Sequence, residues 1–312
     1  TRNQLYAKSE GTPADQLMSV KSGSGITASL TWVTLTNSNS GSLGARYKSD
    51  RGTAEAAAYP MVDIVAPINV VATLTDNSGA GGALQRIEYA YAGMKMAYDG
   101  RGSLGFRSVL QQKTAPNGES LTVAAQNLQS GTNPGATSIT ETRRGALDQP
   151  GAQLLSRTTF IYCDKTAAAG AEAAASAAAP CATSAKVQRP YLYRSTAEGW
   201  DLGGVQLPTV VTTNTFSNYG DPTEILTVTS LAVGQQQSSK RVTNEYETPS
   251  IGGDSWLLGR LKKSTVFSDL TGITPPPAPT APGGDPTTPP ATTPSMSPAV
   301  LTSIINLILG DD

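Results

Sequence analysis

Three short stretches carry residue types at spacings that chemistry uses. Gly100-Arg101-Gly102-Ser103-Leu104-Gly105 matches the G-x-G-x-x-G pattern that cradles a dinucleotide pyrophosphate. That use needs a strand before it, a helix after it and an acidic residue about 20 positions on. Here Phe106 to Gln112 reads as strand and Glu119 precedes another strand, so the stretch is expected to turn a hairpin. Glu245-Tyr246-Glu247 has the E-x-E form used in ADP-ribosyl transfer, but no Arg and Ser-Thr-Ser partners precede it in order. Asp76-Asn77-Ser78-Gly79 lacks the spaced carboxylates and final Glu of a calcium loop and reads as a turn. Neither a catalytic residue nor a metal or cofactor site is expected.

The chain contains no histidine, which removes the commonest general base and the commonest metal ligand. Its two cysteines, Cys163 and Cys181, flank an alanine-rich tract. A disulfide there would close a loop of about 17 intervening residues, worth roughly 3 kcal/mol, and would point to an oxidising compartment. The other reading is two unpaired thiols.

Formal net charge is −1 and charged residues make up only 15% of the 312. No basic run supplies the phosphate-neutralising footprint of a nucleic-acid binder or a patch for anionic lipid. No stretch reaches the ~20 apolar residues that span a bilayer, so no stable membrane span is expected. The chain opens on Thr1 rather than Met, and the expectation is a fragment or processed product, residues 1–12 being the remnant of an upstream region.

The elements that must position these residues read as strand after strand. Ile26, Ala28, Leu30, Trp32 and Thr34 fall on one face and mostly Thr and Ser on the other, the period-two mark of a half-buried antiparallel strand. Val62 to Leu74 is β-branched but interrupted by Pro67, which implies an edge or a bend. The turn cluster 76–82 leads into a returning strand with Tyr89 and Tyr91. Further strands are expected over 104–112, 121–127, 138–142, 154–162, 187–194, 208–216, 224–231, 240–246 and 261–267. Trp200 and Trp256 are expected to pack in a core. The fold class is therefore all-β, an extended antiparallel sheet built from hairpins.

Residues 163–181 form an alanine-rich insertion, and residues 269–298 a proline-rich, disordered linker that samples extended polyproline II. Beyond it, Val300, Leu301, Ile304, Leu307 and Ile308 share one stripe of a short amphipathic helix over 299–312, a candidate for docking on a partner.

Three segments resemble one family. Tyr89-Ala90-Tyr91-Ala92-Gly93, followed by Asp99-Gly100-Arg101-Gly102-Ser103-Leu104-Gly105-Phe106-Arg107, resembles a hairpin of insecticidal toxin-complex B components and of plasmid virulence B proteins. Thr213 to Thr223, with Tyr219-Gly220-Asp221-Pro222, is similar to the tyrosine-aspartate (YD) element of Rhs repeats. Trp256-Leu257-Leu258-Gly259-Arg260-Leu261 fits the same family, and the likeness covers roughly residues 13 to 268. The YD elements are degenerate, with Phe216 and Asn218 standing where tyrosine or aspartate is usual.

The resemblance implies an Rhs/YD-like segment of a hollow β-shell around a toxic polypeptide, secreted or at a cell surface. It implies an Rhs-core, toxin-complex C-type partner and a toxin-complex A-type translocation component. A glycan- or receptor-binding adhesion module is the alternative. A mono-ADP-ribosyltransferase, an activity that plasmid virulence B proteins carry in a separate C-terminal domain, is the weaker one. The motif residues have expected scaffold roles. Gly100, Gly102 and Gly105 permit positive φ, Tyr89, Tyr91 and Phe106 make cross-strand contacts, and Arg101 braces the turn through carbonyls or Asp99.

Overall fold

The computed structural model describes residues 16–37, 40–41, 43–77, 83–115, 117–129, 133–146, 152–164, 181, 189–231, 237–248 and 258–271. By internal contacts the chain divides into residues 1–272 and residues 273–312. The second unit, with most of the expected linker and all of the expected helix, lies outside the described residues, as do Trp256 and the alanine-rich tract between the cysteines.

The described residues are all-β. The strands are β1 Ser19–Lys21, β2 Thr27–Thr34, β3 Ser40–Gly41, β4 Gly44–Ala45, β5 Tyr47–Lys48, β6 Met61–Asp63, β7 Asn69–Asp76, β8 Gln85–Ala97 and β9 Gly102–Thr114. They continue as β10 Ser120–Asn127, β11 Thr137–Arg144, β12 Gln153–Asp164, β13 Pro190–Gly199, β14 Thr209–Phe216, β15 Pro222–Ser230, β16 Gln237–Tyr246 and β17 Leu261–Thr271. Fifteen of them form one open sheet, ordered β1-β2-β7 and then β8 to β17 in sequence, with β5 and β6 both pairing to β8. Its neighbours are antiparallel except for the short β5–β8 pair. From β7 onward every connection is a hairpin, so each strand lies beside the one that precedes it.

The sequence pattern explains the lengths and breaks. Pro67 falls between β6 and β7, splitting the β-branched run in two. β17 runs on to Thr271, three residues into the stretch assigned from sequence to the linker. One expectation needs correction. Ala28, Leu30 and Trp32 are half-buried, but a register shift between Thr31 and Trp32 changes the alternation, and Val33 and Leu35 become the buried residues. An irregular register of this kind moves the side chains beyond it to the other face.

Val33, Leu35, Tyr47, Val70 and Ala72 form the main apolar cluster, with Tyr91, Met94 and Phe106 packed against it. A second cluster joins Ile161, Cys163 and Cys181 to Tyr191 and Tyr193. Cys163 and Cys181 are disulfide-bonded. The bond spans 18 residues of sequence, so reduction should cost about 3 kcal/mol of stability. Thermal unfolding with and without reductant checks this: the native chain is expected to lose several degrees, and Cys163→Ser to be insensitive. Trp200 is half-buried, paired through an isolated bridge to Gln206 rather than set in either cluster.

Candidate functional site

The β8–β9 hairpin carries the motif and also the densest polar site among the described residues. At its tip, Gly100, Gly102 and Gly105 have φ of 93°, 73° and 75°, values that favour glycine, and the register shifts between Lys95 and Met96. No helix follows Gly105, which lies within β9. Arg101 pairs with Asp99, Nε to Oδ2 at 3.3 Å, and its N–H donates to Asp99 Oδ1. Tyr89 stacks on Tyr91 at 6.5 Å between ring centroids, and Tyr91 meets Phe106 at 4.8 Å. Burial, with Tyr89 adding to it, pushes the Tyr91 phenol up to about 12, so it stays protonated and donates to the Val71 carbonyl.

Residues 43–63 lie across this hairpin as a strap, tied to it by charge. Arg107 forks onto Asp50, Nε to Oδ2 and Nη2 to Oδ1, both at 2.8 Å. Lys95 Nζ donates to Asp50 Oδ2 at 3.1 Å, to Gln129 Oε1 at 3.1 Å and to the Glu55 carbonyl at 2.8 Å. Gln129 Nε2 in turn donates to the carbonyls of Gly93 and Gly105. Asp63 Oδ2 accepts from the Ala57 N–H, and its Oδ1 stands 4.0 Å from Lys95 Nζ. A second tie joins Arg46 to Glu88 at 3.0 Å, with Arg86 on the other carboxylate oxygen at 2.6 Å. Asp50, Lys95, Asp63 and Glu88 are all buried.

An ammonium whose three protons are committed, beside a carboxylate held in a bidentate guanidinium fork, fastens elements together rather than moving protons. The Arg107 hydrogen bonds hold the Asp50 carboxyl below the usual aspartate range, burial opposing them and Lys95 helping. The unfolded chain titrates near the ordinary value of about 3.9. The contribution is therefore complete above that value and is lost as pH falls through the lower folded one. The thermal midpoint should drop as pH is lowered below about 4, and Asp50→Asn should flatten that limb of the profile.

Gly93 makes the tie sterically possible. A methyl group built there would meet the Asp50 carboxylate, with Cγ at 2.8 Å, and Arg107 Cβ at 3.0 Å, and its φ is +62°. Beside the tie is a cleft of ≈ 320 Å³ lined by residues including Glu55, Met61, Lys95, Arg107 and Gln129. Among the described residues no group of three or more Asp, Glu, Cys or His side chains is placed to hold a metal.

The other motif residues lie elsewhere. Tyr219 and Gly220 sit in the β14–β15 turn, where Ser217 and Asp221 exchange hydrogen bonds and Arg189 donates to the Asn218 carbonyl. A cleft of ≈ 330 Å³ there is lined by Arg189, Tyr191, Leu192, Phe216 and Gly220 among others. Gly259 approaches Asp221, and the Arg260 carbonyl accepts from the Glu247 N–H. Glu245 lies 3.9 Å from Lys263, both well exposed. Thus the β8–β9 residues gather at one site, while the 213–223 and 258–261 residues belong to the last hairpins.

Sequence reasoning quoted Gly93 and Arg107 within the motif but missed Asp50, Asp63, Lys95 and Gln129. One signal was present: Lys95 stands between Met94 and Met96, a lone cation in an apolar run.

Fold and site together define an open, hairpin-built β module fastened by a buried ionic tie. No family model matches the chain, and no curated protein matches it. Among solved structures it is similar to a chain in the crystal structure of TcdB2-TccC3, with 11% identity and a TM-score of 0.49. The match covers 78% of this chain and 15% of that one, so the chain spans a small part of its structural neighbour's length.

Proposed function

We propose that the chain is a non-catalytic structural segment of a secreted bacterial toxin complex, a length of β-wall that helps enclose or present an Rhs-type polypeptide. One observation carries this reading. The meander from β7 ends on β17, and among the described residues no strand pairs with the outer edge of β17. Leu261, Val266, Phe267 and Leu270 on that strand are 52, 59, 61 and 64% exposed. A long apolar edge left open invites aggregation, and proteins that end on such a strand usually blunt it. Continuation by another polypeptide's strands removes the liability.

The partner is a toxin-complex C-type protein carrying the Rhs core, with an A-type translocation component completing the assembly. Co-expression with the C-type protein should give a stable complex. Proline placed on β17 where the N–H points away from β16 should weaken it, since proline removes an edge donor. Deleting residues 275–312 should weaken it too, if Val300, Leu301, Ile304, Leu307 and Ile308 dock as the sequence suggests. Failure of the native chain to associate at all would remove the reading.

A cell-surface glycan-binding module is favoured by one feature. Tyr59 and Tyr98 are 89 and 69% exposed, and the Tyr98 N–H donates to the Pro60 carbonyl, which brings their backbones together. A glycan array separates the two, because a wall segment binds nothing on it.

A further inference from the structure

The edge strand β17 carries a pattern of charge and size that fits a second copy of itself. Two copies of one edge can pair antiparallel only about a two-fold axis normal to the sheet. Such an axis keeps each face on its own side, so residues that meet across it stand an even number of positions apart. Lys263 and Asp269 are six apart, and an axis centred on Val266 sets each opposite the other in the copy. The same register puts Ser264 opposite Ser268, Thr265 opposite Phe267 and Val266 opposite itself. Moving the centre to Thr265 or Phe267 separates both charge pairs, and Lys262, seven positions from Asp269, cannot meet it in any register.

The strands behind β17 continue the match. β16 places Glu245 opposite Lys263, 3.9 Å from Nζ to a carboxylate oxygen, and Ser239 opposite Asp269. Asp269 therefore meets no counter-charge opposite it on β16, and Lys263 of the copy supplies one. The joined row runs Glu245, Lys263, then Asp269 and Ser239 of the copy, with charge alternating across the axis. On the other face, Ile225 stands beside Val242 and Val242 beside Val266. That apolar row stops at the open edge, where Val266 is well exposed, and the copy prolongs it with its own Val266, Val242 and Ile225. Aliphatic pairs at the centre and opposite charges to either side are the cross-strand contacts that stabilise an antiparallel pair.

From this pattern we infer that two copies of the chain join through β17 about a two-fold axis at Val266, so that the edge covers itself until the C-type protein takes it. The dimer rests on the same open edge as the wall reading and goes beyond it, since the occupant is a second copy. One strand pair buries much less than a standard interface, and a dissociation constant on the order of 10–100 μM is expected. In more dilute solution the chain is monomeric and its β17 edge is open.

Sedimentation equilibrium of the full chain tests this, at low salt where exposed charges are least screened. The native chain is expected to dimerise. Asp269→Lys and Lys263→Asp should each weaken the dimer about tenfold, because each sets like charges opposite one another. Mixing the two variants should restore association, since opposite charges then meet at both positions, a recovery that a misfolded chain cannot show. Under mild oxidation Val266→Cys should cross-link to its own copy, directly opposite residues lying within disulfide reach. Leu270→Cys should not, because Leu270 faces Lys262 of the copy.

A native chain still monomeric at millimolar concentration would overturn the inference. So would a dimer indifferent to both charge changes, or equal cross-linking through Val266→Cys and Leu270→Cys. The wall reading fails separately, when the C-type protein does not bind, whether or not the chain dimerises.

Discussion

Asp50→Ala is expected to lower stability by about 3–5 kcal/mol, the range for removing one partner of a buried ion pair. The side chains of Asp50 and Lys95 are 4% and 8% exposed, so water does not readily replace what is lost. Removing the carboxylate leaves Lys95 with two acceptors and takes both ends of the Arg107 fork. For a unit of this size the loss corresponds to roughly 10 °C in thermal midpoint. Urea unfolding followed by circular dichroism checks the value. Lys95→Met is expected to be milder than Lys95→Ala, since it keeps the buried aliphatic stem. The strap over residues 43–63 should gain protease sensitivity in the Asp50 variant before the rest of the chain does, because the tie holds the strap and not the later hairpins.

Gly93→Ala is expected to cost a similar amount, about 4 kcal/mol, for a different first cause. The added methyl enters the space of the Asp50 carboxylate and of Arg107 Cβ, and the position has φ +62°. An L-residue held there costs about 1–2 kcal/mol by itself. The remainder comes from pushing Asp50 out of its fork. The two losses therefore overlap. The double variant Gly93→Ala, Asp50→Ala should be less destabilised than the sum of the singles by at least 1 kcal/mol, the coupling expected of residues in contact. Additive losses would mean that Gly93 acts through its backbone alone. Gly102 makes the control: its φ is also positive, but nothing lies within 4 Å of a methyl built there. Gly102→Ala should cost only the backbone part.

The strands were legible because they alternate with period two and because Gly, Pro, Asn and Asp punctuate them. Twelve-residue β12 and thirteen-residue β9 extend past their expected ends by a few residues, at one end of each across a register shift. Irregular registers were not legible. Nothing in Thr31-Trp32-Val33 announces that the register shifts there, since a bulge is a property of two strands rather than one. The ionic tie was hidden for a related reason. Asp50 stands 57 residues before Arg107 and 45 before Lys95, and only the pairing of β5 and β6 onto β8 brings them together. Alternation of Thr with charged residues can be read within one strand, but the row that joins Glu141, Arg157 and Glu198 exists only once register is known.

The central claim is that β17 ends the sheet of the described residues but not the assembled one. Amide hydrogen exchange on β16 and β17, with and without the C-type protein, tests it most directly. The account predicts that about half of the β17 amides exchange quickly in the isolated chain and become protected in the complex, while β16 changes little. Protection of all β17 amides in the isolated chain, or fast exchange that persists in the complex, would contradict it.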